Sequence, residues 1–214
     1  MQEVLIGFQF SALIPLFVVL IYKPSLNLFF KLLLASIFLS IFFDIIGTSF
    51  YLLQKNNLPV YCIYCLLNSI LIMFFWQKVP FYSDKIKKQI RGIGYVFIVI
   101  IIITSIYFKF NIDALYINSS LNVFLGLIFA LQYYYQKINL STYTPLLRDP
   151  YFVTASAYIL FCLSTIIILA AQLHFEGNSF VTSTWILKQV FYLVYNIIIG
   201  YAFYVLFKIQ PLRQ

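Results

Sequence analysis

Apolar runs of about twenty residues recur along this chain from one end to the other. No other feature limits its fold so tightly. The hydrocarbon core of a bilayer is about 30 Å thick, and a helix needs about 20 apolar residues to cross it. Barrel strands alternate apolar and polar residues over about ten positions. Stretches such as 95–106 are apolar on every side, so they read as helical spans. Of the 214 residues, 63% are hydrophobic and 9% charged, whereas a soluble domain carries roughly 25% charged residues. Seven spans with short connections use nearly the whole chain and leave no room for a separate catalytic or DNA-binding domain.

The expected fold is therefore all-α, a polytopic membrane bundle of seven transmembrane helices in a single domain, 1–214. The spans are read as 4–22, 29–53, 59–76, 93–110, 114–135, 151–173 and 184–207. Polar connections are expected at 77–91, 136–149 and 174–183. The first residues, Met1-Gln2-Glu3-Val4, lack the basic start of a cleaved signal peptide, so the first run is read as a retained helix.

The net charge of +8 does not point to nucleic acid, because the basic residues fall between the spans. There they set topology and meet anionic head groups. One side collects Lys23, Lys31, Lys78, Lys85, Lys87, Lys88, Arg91, Lys137, Arg148, Lys208 and Arg213. The other has Lys55, Lys109 and Lys188. The richer side is expected to be cytoplasmic, with the N-terminus outside and the C-terminus inside a bacterial inner membrane. The many Tyr and Phe residues near span ends suit the head-group level. No span carries GxxxG, and no internal repeat suggests a transporter built from inverted halves.

Ionisable and amide side chains within the spans are the candidate functional residues, because they are costly in hydrocarbon and need partners. Asp44 is the only carboxylate deep in a span. Counting from the connection between the second and third helices places Asp44 and Asn68 each roughly 13 Å deep, so the two are expected to share a hydrogen bond. Asn122, Thr165 and Lys188 fall near that level, with Tyr192 one turn beyond Lys188. These six define an expected polar layer in the outer half, with Lys188 and Asp44 as its candidate ion pair. Such a layer serves helix register, a ligand pocket open to the outside or, with less support, an ion path.

Lys188 in the seventh helix is a poor match to a retinal lysine, since it lies near the start of the expected span and Thr184 stands where an acid would be. Cys62 and Cys65 form a C-x-x-C pair and Cys162 stands apart. All three lie in apolar runs and read as buried structural thiols. Lys78, Lys85, Lys87, Lys88 and Arg91 are expected to form a surface for lipid head groups or a cytoplasmic partner, helped by Phe81, Tyr82 and Ile86. No nucleophile–base pair, phosphate loop or zinc signature occurs, and nothing calls for a cofactor or a metal.

Three segments carry a family resemblance: LPVYCIYCLLN at 58–68, Pro150-Tyr151-Phe152 with Tyr158, and Trp185 followed by Asn196. Together they resemble seven-helix membrane proteins of Bacteroidetes found beside sensor kinases. The family pattern has His where Cys62 stands and Glu where Asn68 stands. If those residues bind the family's signal, this chain senses something else or only assembles. The resemblance and the lack of an output domain imply a receptor-like sensor or accessory subunit acting through a protein partner in the membrane. A structural subunit of a larger complex is the second reading. A small transporter or lipid-modifying enzyme is the third.

Overall fold

A computed structural model of the protein describes residues 10–80, 82–139, 145–174 and 178–209. All its regular elements are helical. A 3-10 turn at Phe10–Ala12 leads into α1 (Leu13–Tyr22), followed by α2 (Leu28–Leu52), α3 (Leu58–Trp76), α4 (Asp84–Tyr107) and α5 (Ile112–Asn139). A second 3-10 turn at Leu146–Arg148 precedes α6 (Pro150–His174) and α7 (Asn178–Ile209). Among the described residues, six helices are long and apolar enough to cross a membrane. The outward faces agree. Val99, Ile103 and Ile106 on α4, and Phe38, Phe42 and Ile45 on α2, are exposed, which makes sense only against lipid. The chain is a multi-pass helical membrane protein.

Several boundaries differ from the sequence reading. Only ten residues of the first expected span form α1, and positions 4–9 lie outside the described residues. The helix expected from residue 93 starts at Asp84, so most of the expected 77–91 loop is helical. Ser83 explains the early start: its side chain accepts from the Ile86 amide at 3.4 Å, an N-cap that begins the helix in polar sequence. Lys85, Lys87, Lys88 and Arg91 therefore stand on the first turns of α4. The expected connection at 136–149 shrinks because α5 continues to Asn139, and its positions 140–144 lie outside the described residues. The expected 174–183 loop is mostly helix, with 175–177 outside the described residues. Phe81 and Arg213 also lie outside them.

The helix ends have local causes. Asn27 caps α2 through the Phe30 amide at 3.2 Å. Pro59 occupies the first turn of α3, where its missing N–H costs nothing. Asp149 caps α6 through the amides of Tyr151 at 3.0 Å and Phe152 at 3.4 Å. Among the described residues, four non-glycine positions past helix ends adopt positive φ: Lys23, Gln54, Lys109 and Phe110.

Contacts sort the chain into two compact units. One comprises Met1–Ser25 with Ala130–Gln214, the other Leu26–Phe129. In the second unit α3 packs between α2 and α4. The rings of Phe29, Phe75 and Trp76 meet edge-on at 5.3 and 5.8 Å. Gly94 lets α4 approach α3, since a Cβ there would overlap the Met73 side chain. In the first unit α7 packs on both α6 and α1, and Gly200 lies under Ile14 and Val18.

Candidate polar site in the membrane

On α2, Ser36, Ser40, Asp44 and Gly47 recur at helical spacing and form one stripe. Both ends of this stripe face α3. At one end the Ser36 hydroxyl donates to Asn68 Oδ1 at 2.7 Å. At the other, the Tyr61 hydroxyl lies against Gly47, where a Cβ would overlap it. Between them, the rings of Phe43 and Tyr64 are 5.8 Å apart. These three contacts define one antiparallel register, in which Asp44 stands opposite the first turns of α3.

This register corrects the expected Asp44–Asn68 hydrogen bond. Asn68 bonds Ser36, which lies about 12 Å along the helix from Asp44. The depth count placed the facing ends of α2 and α3 at one level. Instead the start of α3 docks below the end of α2, and the Asn57 side chain reaches the Gly47 carbonyl at 3.5 Å.

Asn68 belongs to a network across three helices. Its Nδ2 donates to Asn122 Oδ1 on α5 at 3.2 Å, and Asn122 Nδ2 donates to the Cys65 carbonyl at 3.1 Å. One turn along α5, Asn118 donates to Ser105 at 2.8 Å and accepts from Thr104 at 2.5 Å, both on α4. Every amide here uses both its oxygen and its nitrogen, which is what burial of such groups demands. Ser36, Thr104, Ser105 and Asn118 are absent from the sequence-derived set. The four-residue spacing of Asn118 and Asn122 on one helix face was a usable signal.

Asp44 lies outside this network. It is partly buried, and among the described residues its carboxylate takes no hydrogen bond; its charge acts on the Tyr61 phenol. A carboxylate in hydrocarbon without a donor is costly. Its chemistry suits an amine, another cation or a hydrogen-bond donor.

The other candidates lie in the first unit. Thr165 is 1% exposed and bonds back to the Phe161 carbonyl of its own helix at 2.8 Å. Tyr192 belongs to an aromatic cluster with Tyr195, stacked at 6.2 Å, and Phe161 at 6.0 Å. Tyr158 meets Tyr195 edge-on at 5.5 Å. Lys188 stands further from the helix start than expected, because α7 begins at Asn178. From Lys188 to Ile209 the helix rises about 32 Å, close to one hydrocarbon thickness, so the ammonium is within reach of an interface. Asn196 Nδ2 donates to Ser11 at 2.9 Å and ties α7 to the turn before α1. Cys62, Cys65 and Cys162 are buried free thiols.

A second charged cluster joins α5 to the start of α6. Lys137 on α5 pairs with Asp149 at 2.6 Å, with side chains only 12% and 11% exposed. Tyr133 donates to the same carboxylate oxygen at 3.0 Å. Charge counting along the sequence assigns Lys137 only to a side of the membrane. The four-residue spacing of Tyr133 and Lys137, and the Asp-Pro at a helix start, were available signals.

Of the expected basic surface, Lys78, Lys87 and Arg91 line one cavity with Gln77, while Lys85 and Lys88 project outward as exposed side chains. Comparison with protein-family models, curated proteins and solved structures finds no match for this chain.

Proposed function

We propose that this chain is a receptor-like membrane sensor or accessory subunit that works through a partner protein. Its seven helices would lie in a bacterial inner membrane, with the N-terminus outside and the C-terminus in the cytoplasm, as the Lys and Arg distribution favours. The observation that carries the reading is the position of Asp44. The amides of the network further along α2 and α3 are satisfied within the fold, while this carboxylate, one turn from the contact of Tyr61 on Gly47, has no donor among the described residues. A group that the fold leaves uncompensated is available to a signal molecule or to a donor from a partner span. A signal acts only if it binds two helix arrangements with different affinity, and that difference must be read by another protein.

The test is purification from the native membrane in mild detergent, with copurifying species identified by native mass spectrometry. A stoichiometric protein partner is expected, together with loss of response but not of partner on Asp44→Asn. A chain that carries no partner, or one whose response survives Asp44→Asn, Tyr61→Phe and Lys188→Gln, overturns the reading.

A further inference from the structure

Where α3 gives way to α4, a cavity of about 210 Å³ is lined by Gln77, Lys78, Val79, Pro80, Lys87 and Arg91. Its walls hold three cations. The Lys87 ammonium is 3.5 Å from the Asp84 carboxylate, but Asp84 is 94% exposed, so that pair is a weak competitor.

The polar base of the cavity is Gln77, which is 5% exposed. Arg91 donates to its Oε1 through Nε and Nη2, each at 3.4 Å, which sets the amide's orientation. Gln77 Nε2 is buried without an acceptor among the described residues. A buried donor of this kind is costly unless something accepts from it. The neighbouring lysines and arginine cannot, because they carry donors only.

We infer that this cavity is a binding site for a phosphate group, held by Lys78, Lys87 and Arg91 and by a hydrogen bond from Gln77 Nε2. An oxyanion is the one common ligand chemistry that satisfies three cations and a neutral donor together, and a guanidinium fork suits phosphate geometry. The cavity adjoins the ends of two apolar spans, so the phosphate could belong to a lipid head group or be free. This inference does not depend on the role of Asp44.

The test uses the full chain, delipidated in detergent and titrated with phosphatidylglycerol, phosphatidylcholine and inorganic phosphate. The wild type is expected to retain phosphatidylglycerol at least tenfold better than phosphatidylcholine by native mass spectrometry. Arg91→Gln and the charge-neutral Gln77→Met should each reduce that preference at least fivefold. Lys78→Gln, at an exposed position, gives the same reading if either of those fails to fold. The double variant Lys31→Gln/Lys208→Gln removes two exposed charges elsewhere and should keep the preference. If inorganic phosphate displaces the lipid or alone raises the melting temperature, the source is a free phosphate; if it does neither, the source is the head group. No preference combined with no phosphate response overturns the site. So does an equal loss in the double variant, which would reduce the effect to surface charge.

Discussion

The Ser36 hydroxyl donates to the Asn68 side-chain oxygen at 2.7 Å, and this contact locks α2 against α3 in a register that carries Asp44 away from Asn68. Interhelical hydrogen bonds in membrane proteins contribute about 0.6 kcal/mol on average and up to about 1.7. A double-mutant cycle of Ser36→Ala and Asn68→Ala, read by thermal unfolding in detergent, should give a coupling of about 0.6 kcal/mol. Asn68→Leu should cost more, about 1–2 kcal/mol, because Asn122 also loses its donor. Zero coupling would mean that the helices pair in another register.

Gly47 offers an independent check of that register. In an exposed helix interior, alanine in place of glycine stabilises by about 1 kcal/mol. Here the added Cβ would overlap the Tyr61 ring. Gly47→Ala should therefore destabilise by about 1–3 kcal/mol through overpacking. Combining it with Tyr61→Val should restore most of the loss. A simple gain in melting temperature for Gly47→Ala alone would contradict the packing.

The pair of Lys137 and Asp149 is nearly buried, so removal of one partner strands the other charge. Lys137→Met should cost about 3 kcal/mol, while Asp149 keeps its cap on α6. In Lys137→Met/Asp149→Asn the stranded charge disappears, and the loss should fall to about 1 kcal/mol. Chemical unfolding of the three proteins side by side distinguishes this from simple additivity.

Tyr82 lies between two spans, and burial pushes its phenol above the ordinary tyrosine value. A raised value means that the folded protein holds the proton more firmly than the unfolded chain. The corresponding stability is fully present below about pH 10, the value of an unfolded tyrosine, and is lost as the pH rises above it. Tyr82→Phe should flatten the loss of stability above about pH 10 and leave neutral pH nearly unchanged. Identical alkaline slopes for the two proteins would show that Tyr82 ionises without penalty.

Between α4 and α5, Lys109 and Phe110 adopt φ of 50° and 56° in succession. Left-handed backbone costs an L-residue roughly 1 kcal/mol, and glycine escapes that cost. Lys109→Gly should raise stability by about 0.5–1 kcal/mol. Phe110→Gly should gain less, since it also loses a half-buried ring. A fall in melting temperature for Lys109→Gly would refute the strain.

The helical character and most span centres were legible because apolar runs report directly on the need for hydrocarbon contact. Helix starts in polar sequence were less so. Hydropathy begins the fourth span near Ile93, yet the backbone turns helical at Asp84 because Ser83 caps it there, which apolar counting does not register. Asp44 and Asn68 stood out as polar residues in spans, but their partners depend on the axial offset of α2 against α3. That offset follows from the fit of Tyr61 on Gly47, a shape relation with no signature in composition. The partnership of Lys137 with Asp149 was hidden for a different reason. Charge counting assigns each basic residue to a side of the membrane and ignores which carboxylate it meets.

The network of Asn68, Asn118 and Asn122 bears on how the chain enters the bilayer. A central Asp adds about 2.5–3.5 kcal/mol on the insertion scale, against a gain of about 0.3–0.6 for each Leu, Ile or Phe. In α2 the surrounding Leu, Ile and Phe outweigh Asp44, and α3 and α5 carry no charge among their central residues. Each of these helices can therefore be released into lipid one at a time as it is synthesised. The hydrogen bonds between them can form afterwards, by lateral encounter of segments already in the membrane.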